Sequence, residues 1–317
     1  MPATMTKRAT MKAVRIHSFG GPEVLRLEDV PTPEPRDDEL LVRVDAAGIN
    51  PVDWKIREGR LGQIPLPAIM GSDFSGEVEI PGPHVTDFRA GDAVFGVVAE
   101  ASGSYAEYAL APISQIAQKP PELKHAEAAA LPIPSLTAWQ ALFDTANLQP
   151  GQKVLIHAAA GGVGSFAVQF AKWKGAHVIG TASADHTAYV RQLGADQVID
   201  YHAKAFEEVV RDIDMVFDTI GGETQKRSWN VLKPDGILVS IVQPPSGKPV
   251  KSAARSAFVV CDHTRKDQLG TIADLVGHGQ IKVLVSSTLP LTEARKAQEL
   301  SQAGHTKGKI ILRVAED

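Results

Sequence analysis

The sequence predicts an α/β fold in two parts: a small β-rich domain, then a doubly wound parallel sheet. Two changes of texture predict it. Residues 11–125 hold short alternating segments broken by proline and glycine, with few positions able to sustain a long helix. After about residue 126, apolar strand runs alternate with helix-length amphipathic segments. That rhythm is the mark of right-handed βαβ units whose helices cover both faces of a parallel sheet.

In the first part, MKAVRI (11–16) and ELLVRV (39–44) read as strands. Pro31, Pro33 and Pro35, then Gly82-Pro83, then Gly91-Asp92 mark the turns between strands. In the second, KVLIHA (153–158) is a buried strand, and residues 162–174 place Val163, Phe166, Ala167 and Phe170 at helical spacing. HVIGT (177–181), a helix over 185–193, a strand over 197–199 and a helix over 204–211 follow. DMVFD (214–218), a helix over 222–232, GILVSIV (236–242), AFVV (257–260) and a helix over 265–277 complete the alternation. IKVLVS (281–286), a helix over 292–303 and KIILRV (309–314) break the pattern and are expected to return to the first domain. The expected division is 1–127, 128–278 and 279–317.

Composition narrows the function. With 317 residues, 44 % hydrophobic and 22 % charged, the chain has the balance of a soluble globular protein. Its single cysteine, Cys261, excludes a disulfide framework, a four-cysteine zinc lobe and an iron–sulfur cluster held by this chain alone. A net charge of −4 gives no reason to expect a nucleic-acid partner. No apolar run reaches the ~20 residues that span a bilayer, so no membrane partner is expected. Residues 1–10 lack the apolar core of a signal peptide and read as a short disordered extension of a cytoplasmic protein.

HAAAGGVGS (157–165) closes the first strand of the parallel sheet and opens a helix. Small residues in that context let the backbone approach a pyrophosphate, which then sits at the positive helix N-terminus. Ala159 stands where the first glycine of a dinucleotide fingerprint is usual, giving A-x-G-G-V-G with Gly161, Gly162 and Gly164 in place. The plainer reading is a tight turn that needs glycine for packing; the strand before it and the helix after it favour the dinucleotide. The next strand ends Thr181-Ala182-Ser183, with no carboxylate before Asp185 to bond an NAD ribose. A Ser183 hydroxyl can donate to a 2′-phosphate, and a protonated His186 adds positive charge. Ser183 can equally cap the helix that follows. The expected cofactor is NADPH.

Several segments together carry a family resemblance. They are MKAVRIHSFGGPEVL (11–25), AAGINPVDWKIREG (46–59), GSDFSGEV (71–78), GDAVFG (91–96), GSYAEYA (103–109), LTAWQAL (136–142), AAAGGVG (158–164), LGADQVIDY (193–201) and GKIIL (308–312). The chain resembles the zinc-free quinone oxidoreductase branch of the medium-chain dehydrogenase/reductases, and Asn50-Pro51 looks most like its enone or alkenal reductases. The resemblance implies a GroES-like barrel, a Rossmann domain, a C-terminal return and a homodimer through the Rossmann sheet edge. It implies that Thr137 meets the nicotinamide end and that Ala160, Gly161, Gly162, Val163 and Gly164 meet the pyrophosphate. Ser183 and Tyr201 would flank the adenosine phosphate, Gly221 would line the strand-end crevice, and Lys309 would reach the cofactor's phosphates. Tyr201 reads equally as an aromatic packed on the sheet. Many relatives carry a lysine where this chain has Thr187.

Zinc members of the superfamily hold their catalytic metal with Cys, His and Cys; the first two matching positions here are Asn50 and Ser72, and Cys261 lies outside both segments. Amide and hydroxyl oxygens suit zinc poorly, and no histidine pair has i, i+4 helical spacing, so no metal is expected. Without a Lewis acid, an enone, enal or quinone is the tractable hydride acceptor, because its charge spreads onto oxygen as an enolate. Hydride transfer then needs the reduced nicotinamide within about 3–3.5 Å of the acceptor carbon and a hydrogen bond to the oxygen. Asn50 is the expected donor, with Lys55 supplying charge nearby. The plain alternatives are that Asn50 shapes a turn before Pro51, that Asp53 and Lys55 are solvated charges beside Trp54, and that Asp73 is a turn residue. No Ser/His/Asp or Cys/His nucleophile pattern is legible. A catalytically weak NADPH-binding redox sensor or structural protein is the other class that fits the fold.

Overall fold

The computed structural model describes residues 9–248 and 253–315. It divides into two compact units, one of Met1–Ile133, His263–Gly277 and Val283–Asp317, the other of Pro134–Asp262 and His278–Lys282. Most of the N-terminal extension expected over residues 1–10 lies outside the described residues, and Thr10 already belongs to a strand.

The first unit begins with β1 (Thr10–Ile16), β2 (Arg26–Pro31) and β3 (Glu39–Gly48), followed by helix α1 (Pro51–Arg57). It continues through β4 (Ala68–Ile69), β5 (Asp73–Pro81), β6 (Ala93–Val97), β7 (Tyr108–Pro112), β8 (Ile116–Gln118) and the single turn α2 (His125–Ala128). β2, β1 and β4 form a small sheet. In β3 all residues except Glu39, Arg43 and Asp45 are buried, so both of its faces are covered over most of its length. Leu40, Val42, Phe74, Val94 and Tyr105 share its core with Ile310 and Leu312 from the tail. A fully buried side chain such as Phe74 contributes about 1.5–3 kcal/mol.

Helix α3 (Pro132–Trp139) runs into a π-helical turn at Gln140–Thr145. The second unit then alternates β9 (Lys153–Ile156), α4 (Gly162–Trp173), β10 (His177–Ala182), α5 (Thr187–Gln192), β11 (Gln197–Asp200) and α6 (Phe206–Val209). β12 (Ile213–Asp218), α7 (Gly222–Ser228), β13 (Leu232–Ser240) and β14 (Arg255–Phe258) follow. The sheet runs β11-β10-β9-β12-β13-β14, with every pairing parallel. Strand order reverses between β9 and β12, so the crevice at their C-terminal ends is the topological switch point where such sheets bind ligands.

The chain returns to the first unit through α8 (Lys266–Gly277), β15 (Val285–Pro290), α9 (Ala294–Ala303) and β16 (Lys309–Arg313). β16 pairs antiparallel with β3, placing Ile311 opposite Gly48 and Leu312 opposite Ala47. Four expected boundaries differ from the observed ones. The first unit extends to Ile133 rather than 127, and residues 263–277 cluster with it rather than with the parallel sheet. The strand read at 281–286 lies at 285–290, because its register follows β16 and its edge position tolerates the polar Ser286, Ser287 and Thr288. The strand read at 257–260 lies at 255–258 for a similar reason, since it forms the sheet edge beside β13.

Candidate functional site

In the second unit, β9 passes to α4 through a turn built around Ala158, whose φ of 47° is left-handed and costly for any residue with a Cβ. The turn is pinned. Ala158 N–H donates to Thr181 Oγ1 (3.3 Å), Ala159 N–H to Thr181 O (2.9 Å) and Gly161 N–H to Ala158 O (2.9 Å). A Cβ on Gly164 would lie 2.2 Å from Ala158 O, so this glycine lets the helix close onto the strand. At Gly161 a Cβ would meet only Ala158 O, at 3.3 Å, leaving that side of the turn open to an incoming group. α4 starts with no side-chain cap and no acidic residue in its first turn. Its first amide groups and the positive end of its dipole therefore face outward as an anion site, bordered by Ala160, Gly162 and Val163.

His157 lies fully buried beneath this turn. Ser228 Oγ donates to Thr224 O (2.7 Å), so it must accept from His157 Nε2–H (3.0 Å). His157 Nδ1 then accepts from the Thr181 hydroxyl (3.2 Å), which itself receives Ala158 N–H. Burial above all pushes the imidazole pKa down to about 4, against the opposing attraction of Asp218. Asp218, at the end of β12, accepts from the amides of Ile220 (3.0 Å) and Gly221 (2.8 Å), Gln225 Nε2 (2.9 Å) and Ser240 Oγ (2.8 Å). This holds Gly221 at φ 79°, ψ −164°, a conformation for glycine, at the mouth of the switch-point crevice.

At the end of β10, Ser183 O accepts from His186 N–H (3.0 Å) and Thr187 Oγ1 (3.3 Å). The Ser183 hydroxyl makes no cap bond with the short 3-10 turn Ala184–His186, so the capping role does not hold. Tyr201 is 51 % exposed and stands 4.3 Å from the ring of His202, so it is not buried against the sheet. Thr137 is buried in α3, just before the π-helical turn.

The register of three strands builds a second constellation, in the first unit. Pairing of β16 with β3 carries Lys309 back to Asn50, just past the end of β3, and pairing of β3 with β5 sets Gly48 opposite Asp73. A Cβ on Gly48 would lie 2.4 Å from Ala129 O and 3.0 Å from Asp73 Cβ, so only glycine allows this approach. Asn50 is the N-cap of α1, with Pro51 at the first helical position. Its backbone N–H donates to Asp53 Oδ2 (2.7 Å), and its side chain makes no cap hydrogen bond. Asn50 Nδ2 donates to Asp73 Oδ2 (2.7 Å). Lys309 Nζ donates to Asn50 Oδ1 (2.6 Å) and Ile49 O (2.7 Å), with Asp73 Oδ2 at 4.0 Å. Ile133 N–H donates to Asp73 Oδ1 (3.0 Å), and the Tyr105 hydroxyl to Asp53 Oδ2 (2.7 Å).

All five side chains are buried. Burial raises the Asp53 carboxyl to about 7 despite its two hydrogen bonds, raises Asp73 and Tyr105, and lowers Lys309. Lys309 therefore does not reach outward for phosphates as expected; the β16–β3 register turns it into the core of the first unit. Asp53 is not a solvated charge, and Asp73 opens a buried strand rather than a turn. Lys55 is half-buried with its ammonium over the Trp54 ring at 5.6 Å, and burial with Arg60 nearby lowers its pKa. Asp53, Asp73 and Tyr105 are the site residues that the sequence reading passed over. The spacing Asn50-Pro-x-Asp53 was a signal for Asp53 alone, since an acid at the third helical position commonly closes onto the N-cap amide.

Comparison with known proteins places the molecule. A family model described as alcohol dehydrogenase GroES-like domain matches residues 36–121, and one described as zinc-binding dehydrogenase matches residues 193–312. The chain is 33 % identical over 322 residues to a chloroplastic quinone-oxidoreductase homolog of Spinacia oleracea, across 95 % of this chain and 98 % of the relative. It belongs to the quinone oxidoreductase branch of the medium-chain dehydrogenase/reductases. The quinone oxidoreductase of Coxiella burnetii superposes with a TM-score of 0.90 at 38 % identity, over 96 % of this chain and 100 % of that one. The Escherichia coli quinone oxidoreductase, solved in complex with NADPH, gives 0.89 at 28 % identity with the same coverage. The fold is accordingly a GroES-like domain with a Rossmann parallel-sheet domain.

Zinc appears in the description of one matching family, so its fit to these residues matters. It fits poorly. Asn50 and Ser72 offer neutral oxygens, and the Asn50 oxygen already receives the Lys309 ammonium, which would repel a metal ion. Among the described residues, no three His, Cys, Asp or Glu side chains converge to hold a metal. Among the same residues, no helix is long and apolar enough to cross a membrane.

Proposed function

We propose that the chain is an NADPH-dependent reductase that transfers hydride, without zinc, to conjugated carbonyl compounds (enones or enals) or to quinones. The observation that carries this reading is the cation on Asn50: it is the Lys309 ammonium, fixed in the core, where the zinc enzymes' pattern has a metal ligand. An ammonium that is 4 % exposed, hydrogen-bonded to Asn50 and Ile49 and facing the Asp73 carboxylate at 4.0 Å is held away from an alcohol oxygen, so localised alkoxide charge has no cation to meet it. A conjugated acceptor needs less, because its charge spreads to an oxygen that one amide N–H can meet.

Bound NADPH supplies the hydride. The chain's part is to hold it: the uncapped start of α4 for the pyrophosphate, Gly221 at the switch point, and Ser183, His186 and Tyr201 at the phosphate-bearing end. The absence of a carboxylate at Thr181-Ala182-Ser183 favours the 2′-phosphate, in keeping with the Escherichia coli relative solved with NADPH. Thr137 is assigned to the nicotinamide end, Asn50 to the substrate oxygen and Lys55 to nearby charge. A cytoplasmic homodimer, paired through an edge of the Rossmann sheet, completes the reading. The test is steady-state NADPH oxidation with a panel of small enones, enals and a naphthoquinone, alongside elemental analysis. Turnover with less than about 0.1 zinc per chain is expected from the donor chemistry. Tight NADPH binding with no turnover on any acceptor would favour a sensor or structural role instead.

A further inference from the structure

We infer that Lys309 is a positioning residue that sets which way the Asn50 carboxamide faces, doing with a fixed ammonium what a metal ion does for its ligands. A carboxamide has two ends of similar shape, and only its partners decide which is which. Lys309 is a pure donor and holds Asn50 Oδ1 at 2.6 Å; Asp73 is an acceptor and holds Nδ2 at 2.7 Å. A flipped amide would set N–H against the ammonium and oxygen against the carboxylate. Both clashes would occur in a core where Asn50, Asp73 and Lys309 are at most 4 % exposed and charges are poorly screened.

One amide hydrogen is thereby spent on Asp73, and the second is left for a ligand in a single fixed direction. Asp53 does not compete for the Asn50 side chain, because it takes the backbone N–H and the Tyr105 hydroxyl. With Lys309 replaced by methionine, Asp73 loses its cation and takes up a proton. A protonated Asp73 can donate as well as accept, and the amide is free to turn over.

This inference rests on the reading of Asn50 as the donor to substrate oxygen, and the test separates the two. The kinetics of Asn50→Ala, Lys309→Met and the double variant form a cycle. Lys309→Met is expected to lower kcat by about tenfold or more while KM for NADPH changes by less than about twofold. In the Asn50→Ala background the same change should alter kcat by less than about twofold, since no amide remains to orient. A full loss of kcat in both backgrounds would overturn the inference and leave the Asn50 reading standing. An unchanged kcat in Asn50→Ala alone would overturn both. Because Lys309→Met changes the protonation of Asp73 as well as the bond to Asn50, Lys309→Met combined with Asp73→Asn removes both ionisable groups and keeps the core neutral. That variant should fold and still show the low kcat, because a carboxamide at position 73 can donate or accept and so pairs with either orientation of Asn50. Wild-type kcat in it would refute the role.

Discussion

Replacing His157 with glutamine removes a titrating group from beneath the glycine turn while keeping an acceptor and a donor for Thr181 and Ser228. In the fold the imidazole is neutral down to about pH 4, because burial disfavours its charge more than Asp218 favours it. In the unfolded chain it protonates around 6.5. Between those values the unfolded state binds the extra proton, so stability is fully present above 6.5 and is lost as pH falls toward 4. Each pH unit in that window is worth about 1.4 kcal/mol, so this one histidine costs the fold about 3 kcal/mol between pH 7 and pH 4. Amide hydrogen exchange in β9 and β10, which flank the turn, reads the opening free energy locally. The wild type should lose about 3 kcal/mol more than His157→Gln across that range. Parallel pH profiles for the two proteins would refute the placement of a neutral imidazole under the turn.

Two glycines of the turn should separate folding from binding. Gly164→Ala forces a methyl to within 2.2 Å of Ala158 O and should destabilise the protein by about 1–3 kcal/mol in thermal unfolding, whereas an unchanged melting temperature would contradict the close helix–strand approach. Gly161→Ala meets only Ala158 O at 3.3 Å, so it should fold normally and weaken NADPH binding in calorimetry; normal affinity would place the pyrophosphate elsewhere. Ser183→Asp puts a carboxylate beside the proposed 2′-phosphate and should raise Kd for NADPH at least about tenfold, with NADH little affected. Equal Kd values for the two cofactors in the wild type would end the phosphate argument.

The parallel sheet was legible because its strands repeat a strong pattern, and β9, β10 and β12 lie within a residue or two of the expected spans. Its edge was less legible: β14 and β15 carry polar residues and are defined by their neighbours' registers, which no local periodicity reveals. The cofactor side was readable for the same reason as the sheet, since Gly161 to Gly164 sit in continuous sequence. The left-handed residue was not, because Ala158 takes a conformation usually left to glycine and is held there by Thr181, 23 positions away. The Asn50 network was hidden more deeply. Asn50, Asp73 and Lys309 meet only through two antiparallel registers, and an isolated Asp or Lys in sequence reads as a solvated charge. Lys309 shows the consequence: the family resemblance implied a phosphate ligand, and its strand register sends it inward.

Hydride delivery to the β-carbon of a conjugated carbonyl is the central chemical claim, and isotope labelling tests it most directly. NADPH carrying deuterium at the transferable position would be turned over with a simple enone, and the product examined by mass spectrometry and NMR. The predicted product is the saturated ketone with one deuterium on the carbon β to an intact carbonyl. Deuterium on the carbinol carbon of an allylic alcohol would contradict the account, because it would require the localised alkoxide charge for which the Asn50 and Lys309 arrangement has no partner.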